Sequence, residues 1–137
     1  MALILDTGPL FAAMDRSDAD HERCSALVEG ANEPIVIPAP VIVELDWLSG
    51  RRLQVEAFLS LLEDIQDKRL AVEEMRMVDY ARSKELVDRY RDLPLGFVDA
   101  AVLSIVERLG EAKLATLDHR HFAVVRPRHV PTLRLLP

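Results

Sequence analysis

Four carboxylates in this 137-residue chain occupy positions where an α/β protein can bring side chains together. Asp6 and Asp118 each follow a short apolar run that is typical of a buried strand. Glu44 and Asp99 lie on the apolar stripes of two segments with helical periodicity. Ligands of α/β sheets bind at the carboxyl ends of the strands. We therefore expect the four acids to converge at one edge of a sheet.

Carboxylates that share a pocket need a compensating charge, because their repulsion would otherwise drive one of them to protonate. A divalent cation removes this conflict. Hard oxygen ligands, without Cys and with few His, select Mg²⁺ or Mn²⁺ rather than zinc. Such a site lowers the pKa of water and stabilises charge that develops on a phosphate. The pattern therefore favours metal-assisted hydrolysis of phosphodiesters.

Each acid also has a purely structural explanation. Asp6 and Asp118 could cap the turns that follow them, and Asp99 could interact with the dipole of its helix. Glu44 could be a partly buried side chain that is paired with an arginine. The four positions taken together favour a shared site over four separate structural roles.

Short apolar strands alternate with helices along the chain, which predicts a mainly parallel sheet with helices on both faces. If the sheet is wound both ways from its first strand, the first and fourth strands become neighbours. Asp6 and Asp118 would then lie side by side. The strands are predicted near residues 3–5, 35–37, 70–72, 114–117 and 132–136, and the helices over 9–14, 41–48, 51–66, 77–91 and 97–109, with one more ending near 29.

The segment 97–109 has the strongest helical pattern in the chain. We expect its solvent-facing side to carry Ser104, Glu107 and Arg108. Asp99 lies on the opposite, apolar side of the same segment. Its place in the first turn suits an anion, because the helix dipole is positive there.

Aromatic and basic residues give weaker indications. Trp47 and Phe97 lie on helical stripes, so we interpret them as core residues rather than as platforms for base stacking. The segment from His119 to Arg134 holds four arginines and three histidines. This segment could contact nucleic-acid phosphates or form a solvated terminal surface. The histidines have no clear metal-binding spacing, and we leave them out of the predicted site.

Composition limits the class of protein. The length predicts one domain over residues 1–137. The formal net charge of −6 disfavours non-specific binding of nucleic acid, because phosphate contacts need Lys and Arg. Cys24 is the single cysteine, and no apolar segment suits export or a membrane span. We expect a cytoplasmic protein without membrane association.

Four motifs resemble, in order and spacing, those of the PIN-domain family, and most closely the VapC-type toxins of bacterial toxin–antitoxin pairs. They are LDTGPL at residues 5–10, PVIVEL at 40–45, FVDAA at 97–101 and ATLDHRHF at 115–122. The resemblance covers nearly the whole chain. It implies a single PIN-like domain of three layers, whose five-stranded, mainly parallel sheet has a flavodoxin-like strand order. It also implies an endoribonuclease that depends on Mg²⁺ or Mn²⁺.

The resemblance carries over to particular residues. The acids that match the catalytic positions of the family are Asp6, Glu44, Asp99 and Asp118. Asp6 and Asp99 match its principal metal ligands, and Asp118 is expected to be a third. Thr7 and Thr116 match hydroxyl positions beside the acids, where they would hold a carboxylate in place. The expected reaction is attack of water on an RNA phosphodiester at the metal site.

Partners are implied by the resemblance alone. The substrate would be RNA, for which transfer and ribosomal RNA are the candidates. VapC-type proteins are usually homodimers, held inactive by a small antitoxin whose C-terminal segment covers the acidic pocket. An acidic cleft of this kind should attract an Arg-bearing peptide.

Two alternatives stay open. A PIN scaffold that only binds RNA or a protein partner is one, although a buried anionic cluster gives a pure binder no evident advantage. A phosphoacceptor signalling domain is the other. It requires an acidic pair after the first strand and a Lys after the last, whereas here Thr7 follows Asp6 and the chain ends with Leu136 and Pro137.

Overall fold

The computed structural model describes the backbone of residues 1–137 and every side chain except those at 51 and 52. Strands and helices alternate along this backbone. In chain order they are β1 (Leu3–Ile4), α1 (Thr7–Met14), α2 (His21–Glu29), β2 (Ile35–Pro38), α3 (Ala39–Arg52), α4 (Val55–Gln66), β3 (Ala71–Glu73), α5 (Met77–Arg89), α6 (Phe97–Leu109), β4 (Lys113–Ala115), α7 (His119–Val124) and β5 (Arg134–Leu136).

All strand pairs in the described backbone are parallel, as predicted, but the strands form two groups. One group is β1-β2-β3 and the other is β4-β5. A single bridge between Leu5 and Ala115 joins them, and the Asp6 amide donates to the Ala115 carbonyl at 2.9 Å. The prediction of one continuous five-stranded sheet is therefore wrong in detail. The strand pairing is short because the chain enters α1 at Thr7, directly after Asp6.

The strand order also corrects an expectation. A flavodoxin-like order would place β1 between β2 and β3, whereas β2 lies between β1 and β3. The first two crossovers lead away from β1 on one side, and the chain then returns through α5 and α6 to place β4 on the other side. The amides of Leu5 and Asp6 donate to Val36 and Ala115, on opposite sides of the strand. The predicted contact of the first and fourth strands is thus confirmed.

The core is built around the first strand and the helices that cover it. Because neighbouring strands flank β1 on both edges and helices cover its faces, its apolar side chains are removed from water completely. Full burial of one such side chain contributes about 1.5–3 kcal/mol. The fully buried apolar residues include Ile4, Leu5, Ile37, Val41, Leu45, Leu103, Val106 and Leu114. In the described part of the chain, no helix has the length and apolar character to cross a membrane.

Helices α1 and α3 each begin two residues earlier than predicted and α5 ends two residues earlier, and two larger differences occur elsewhere. We expected a stop at Ser49 and Gly50, but α3 continues to Arg52 and α4 begins at Val55. The break falls instead at Leu53 and Gln54, whose backbones are extended. The segment after Asp118, for which no helix was predicted, forms α7.

The polar side of α6 packs against α5 and does not face water as predicted. Ser104 donates to the Ala100 carbonyl at 2.7 Å and lies 3.1 Å from the Ser83 hydroxyl. Glu107 receives two hydrogen bonds from Arg82, at 2.8 and 2.9 Å, and their side chains are only 9% and 8% exposed. The prediction failed because the charges of α6 are matched by opposite charges on α5, so both are buried as ion pairs.

Candidate active site

The four predicted acids meet at one cavity. Its volume is about 410 Å³, and it opens at the carboxyl ends of β1 and β4. Asp6 follows β1, Glu44 projects from α3, Asp99 from the first turn of α6, and Asp118 precedes α7. The lining residues are Asp6, Thr7, Gly8, Glu44, Leu48, Asp99, Leu117 and Asp118. The convergence that was inferred from topology is therefore present in the fold.

Asp6 is the most deeply buried of these acids, with 6% of its surface exposed. One carboxylate oxygen, Oδ1, accepts the Thr7 amide at 2.8 Å and caps α1. The other, Oδ2, accepts the Thr116 hydroxyl at 2.8 Å. Burial raises the pKa of Asp6 to about 6, the two hydrogen bonds oppose this, and the charges of Asp99 and Glu44 add to it. Asp6 therefore caps α1 and also lines the cavity, two positions that were weighed as alternatives above.

Two hydroxyls hold the acids in position. Thr7 Oγ1 donates to Glu44 Oε2 at 2.6 Å, which connects the first turn of α1 to α3. Thr116 Oγ1 donates to Asp6 and accepts the Asp118 amide at 3.0 Å. The predicted threonines therefore contact the predicted acids, and each restricts the rotation of a carboxylate.

Asp99 and Asp118 form the more accessible part of the site, with side chains 22% and 35% exposed. Burial raises the pKa of Asp99, the nearby Asp118 charge raises it further, and His121 opposes the change. Asp118 Oδ1 accepts the His121 amide at 3.1 Å and so caps α7.

His121 is a residue of the site that the sequence interpretation missed. Its Nδ1 lies 2.7 Å from Asp118 Oδ2 and 3.6 Å from Asp99 Oδ2. Donor atoms of the three side chains lie within 4.8 Å of one another, a grouping compatible with a metal ion. The i, i+3 spacing of Asp118 and His121 would have indicated this, had the segment been interpreted as a helix.

The donor set fits a hard divalent cation. The described residues that line the cavity include four carboxylates and no Lys or Arg. Burial first, and then the neighbouring carboxylates, raise the pKa values of Asp6 and Asp99. Carboxylate oxygens are ligands that Mg²⁺ and Mn²⁺ prefer. A bound cation would supply the missing positive charge.

An apolar groove adjoins the acidic cavity. Two of its aromatic residues show that another expectation was wrong. Trp47 and Phe97 were predicted in the core, but they are 65% and 50% exposed. Phe97 stacks on Tyr80 with the ring centres 6.4 Å apart. The prediction failed because α3 is apolar nearly all round, while only its Val41 and Leu45 side faces the core. The groove, about 680 Å³, is lined by Ala39, Pro40, Val43, Glu44, Trp47, Glu74, Met75, Tyr80, Phe97 and Val98.

Comparison with known proteins agrees with the motifs found in the sequence. No protein-family model matches the chain. Ribonuclease VapC26 of Mycobacterium tuberculosis (strain ATCC 25618 / H37Rv) is 29% identical over 125 residues, which are 91% of this chain and 93% of the relative.

Solved structures share the fold at lower identity. The crystal structure of M. tuberculosis VapC20, a toxin that cleaves the sarcin–ricin loop, has a TM-score of 0.75 and 20% identity, and the match covers 82% of this chain and 86% of that one. VapBC2 from Rickettsia felis, bound to a DNA fragment from its promoter, has a TM-score of 0.70 and 18% identity, with both chains covered fully. FitAcB from Neisseria gonorrhoeae has a TM-score of 0.66 and 15% identity, with 96% of each chain covered. The sequence likeness to VapC26 and the fold shared with the solved toxins confirm the resemblance seen in the four motifs: the chain is similar to the VapC type of PIN-domain toxins.

Proposed function

We propose that this protein is an endoribonuclease toxin whose activity depends on Mg²⁺ or Mn²⁺. The observation that carries the proposal is the convergence of Asp6, Glu44, Asp99 and Asp118 on one cavity. The likeness to VapC26, a ribonuclease, supports the class of reaction. Asp6, Asp99 and Asp118 are the residues that we assign to hold the metal.

The residues of the chain have distinct tasks in this proposal. A divalent cation, when bound, supplies a water of lowered pKa and stabilises charge on the phosphate. Thr116 fixes the rotation of Asp6, so that this acid does not have to reorganise when substrate binds. Thr7 occupies Oε2 of Glu44, and we assign the other oxygen, Oε1, to take a proton from the attacking water.

The test is cleavage of RNA by the purified protein, with Mn²⁺ or Mg²⁺ and with excess EDTA. The substrates are transfer and ribosomal RNA, the candidates that the family resemblance implies, together with the sarcin–ricin loop, which VapC20 cleaves. Asp99→Asn should abolish cleavage, whereas Asp46→Asn should not, since Asp46 is an exposed acid of α3 outside the cavity. Equal cleavage by Asp99→Asn and the parent would overturn the proposal.

We also propose that a cognate antitoxin blocks this cavity. The described cavity wall carries acids and no basic side chain, so an Arg-bearing peptide is the complementary ligand. A synthetic peptide with an Arg should therefore compete with Mn²⁺ and inhibit cleavage. A peptide in which that Arg is replaced by Gln is the matched control, and equal inhibition by the two would contradict an electrostatic block.

We propose that the chain forms the predicted homodimer through its exposed apolar surface, which we call the apolar face. Its central residues are Val43, Trp47, Tyr80 and Phe97, all at least 48% exposed. Carboxylates of Glu44 and Glu74 border one, acidic end. Lys84 and Arg91 border the other, basic end, in a second groove that shares Tyr80 and Phe97 and where Asp88 pairs with Arg91. A two-fold axis would place the acidic end of one copy against the basic end of the other.

The dimer is tested by measuring the mass in solution. Tyr80→Asp places a charge in the centre of the apolar face and should convert a dimer to a monomer. Val55→Asp is the control, because Val55 is 62% exposed on α4, away from this face. Equal masses for the two variants would assign the dimer contact elsewhere.

A further inference from the structure

We propose that His121 Nδ1 is a ligand of the cation held by the acidic cavity, beside Asp99 and Asp118, and that this nitrogen makes the site prefer Mn²⁺ over Mg²⁺. The inference rests on the proposed function and goes beyond it, since it adds a nitrogen donor to an otherwise oxygen site.

The distances fit a single ion. Nδ1 lies 2.7 Å from Asp118 Oδ2 and 3.6 Å from Asp99 Oδ2. Neighbouring ligands of an octahedral cation with bonds of about 2.1 Å are about 3 Å apart. The two observed separations lie on either side of this value, and donor atoms of the three side chains all lie within 4.8 Å of one another.

The His121 nitrogen has no hydrogen-bond partner among the described residues. Although Asp118 Oδ2 is close, the pair lacks hydrogen-bond geometry, and Nδ1 is a buried polar atom that remains unsatisfied. Such an atom costs free energy unless a partner binds to it. A cation between Nδ1 and the two carboxylates would satisfy it.

The other histidines have backbone partners, although Nδ1 of His129 is, like that of His121, a buried atom without a hydrogen-bond partner among the described residues. One ring nitrogen of each lies within hydrogen-bond distance of a backbone carbonyl: His21 of Ala12 at 2.8 Å, His119 of Thr116 at 3.0 Å and His129 of Glu111 at 2.6 Å. Within the described part of the chain, His121 is the histidine whose ring instead faces carboxylates. Its Nδ1 therefore lies where a cation shared with Asp99 and Asp118 would bind.

The fold holds the His121 ring in place. The Asp118 carboxylate caps α7 through Oδ1, which accepts the His121 amide and leaves Oδ2 on the side of the ring. Phe122, the next residue, is 3% exposed and anchors α7 in the core. The short helix α7 and its cap therefore hold both the proposed ligand, His121, and the carboxylate of Asp118 in place.

A nitrogen donor has a consequence for the choice of ion. Mg²⁺ prefers oxygen ligands and binds imidazole poorly, whereas later divalent metals bind it increasingly well. Replacing His121 by Asn puts an amide group near the position of Nδ1. We expect His121→Asn to weaken Mn²⁺ binding about tenfold and to change Mg²⁺ binding little, so that the preference for Mn²⁺ falls by about the same factor.

The experiment is electron spin-echo spectroscopy of Mn²⁺ bound to the full-length protein, with dissociation constants for Mn²⁺ and Mg²⁺ from calorimetry. The parent should show the nitrogen coupling of one directly bound imidazole. His119→Gln should keep this coupling, because His119 is an exposed histidine of the same helix. His121→Asn should lose it.

The outcomes separate this inference from the proposed function. Mn²⁺ binding by the parent without any nitrogen coupling would overturn the His121 ligand and leave the carboxylate site intact. Coupling that persists in His121→Asn would also overturn it. Failure of the parent to bind Mn²⁺ would contradict both the ligand and the metal-dependent function. The parent spectrum is decisive even if the His121 variant folds poorly.

Discussion

Replacement of Asp6 by Asn should stabilise the metal-free protein at neutral pH, although it removes a proposed catalytic residue. Asp6 is 6% exposed, and burial raises its pKa from 3.8 to about 6. At neutral pH the folded protein therefore carries a charge that its surroundings oppose. A difference of about two units between the folded-state and unfolded-state pKa of one group changes the free energy of unfolding by roughly 3 kcal/mol.

The direction in which stability changes with pH follows from proton binding. The folded state binds the Asp6 proton more tightly than the unfolded state, so stability is lost as the pH rises from about 4 to about 6. Asn does not titrate and avoids this loss. It weakens the hydrogen bond from Thr116, at a cost of about 1 kcal/mol. We expect Asp6→Asn to match the parent within about 1 kcal/mol at pH 4 and to exceed it by about 2 kcal/mol at about pH 7.5.

The assay is urea unfolding in EDTA at both pH values, with Asp46→Asn as the exposed control whose difference from the parent should not depend on pH. Mn²⁺ at about one hundred times its dissociation constant should stabilise the parent by about 2.7 kcal/mol and so remove the advantage of Asp6→Asn. The same difference between Asp6→Asn and the parent at both pH values would show that folding does not raise the pKa of Asp6.

Two further predictions concern the groups that support the site. Arg82→Ala leaves Glu107 buried without its partner and should destabilise the fold by about 3–5 kcal/mol in urea unfolding. Arg91→Ala, at an exposed pair, should cost less than about 1 kcal/mol, and equal losses would contradict the buried-pair argument. Thr116→Val removes a donor to Asp6, so carboxylate NMR of the metal-free protein should show the Asp6 pKa rise further above its value of about 6. Cleavage should fall about 10- to 100-fold, and an unchanged Asp6 pKa would refute this role of the hydroxyl.

Local signals in the sequence predicted the acids and the elements that carry them. The bounds of α6 agree with the prediction because glycines precede and follow it, and Gly110 adopts the left-handed conformation that ends helices. Asp6 and Asp118 were located because each follows an apolar strand. Their convergence needed only the rule that parallel strands present their carboxyl ends at one edge.

Features that depend on tertiary partners could not be predicted in the same way. The polar side of α6 looks solvated in sequence, and only the packing of α5 shows that Glu107 and Arg108 are paired with its charges. Trp47 belongs to a helix that is apolar nearly all round, so periodicity does not indicate which side faces the core. His121 was missed because α7 is too short to give a helical pattern.

The most direct test of the acidic site as a metal centre is calorimetric titration of the parent, Asp99→Asn and Asp46→Asn with Mn²⁺. We predict that the parent and Asp46→Asn bind equally, that Asp99→Asn binds at least about tenfold more weakly, and that RNA cleavage by each follows its metal occupancy. Equal Mn²⁺ binding by Asp99→Asn and the parent would show that the cation is held elsewhere and would contradict the account.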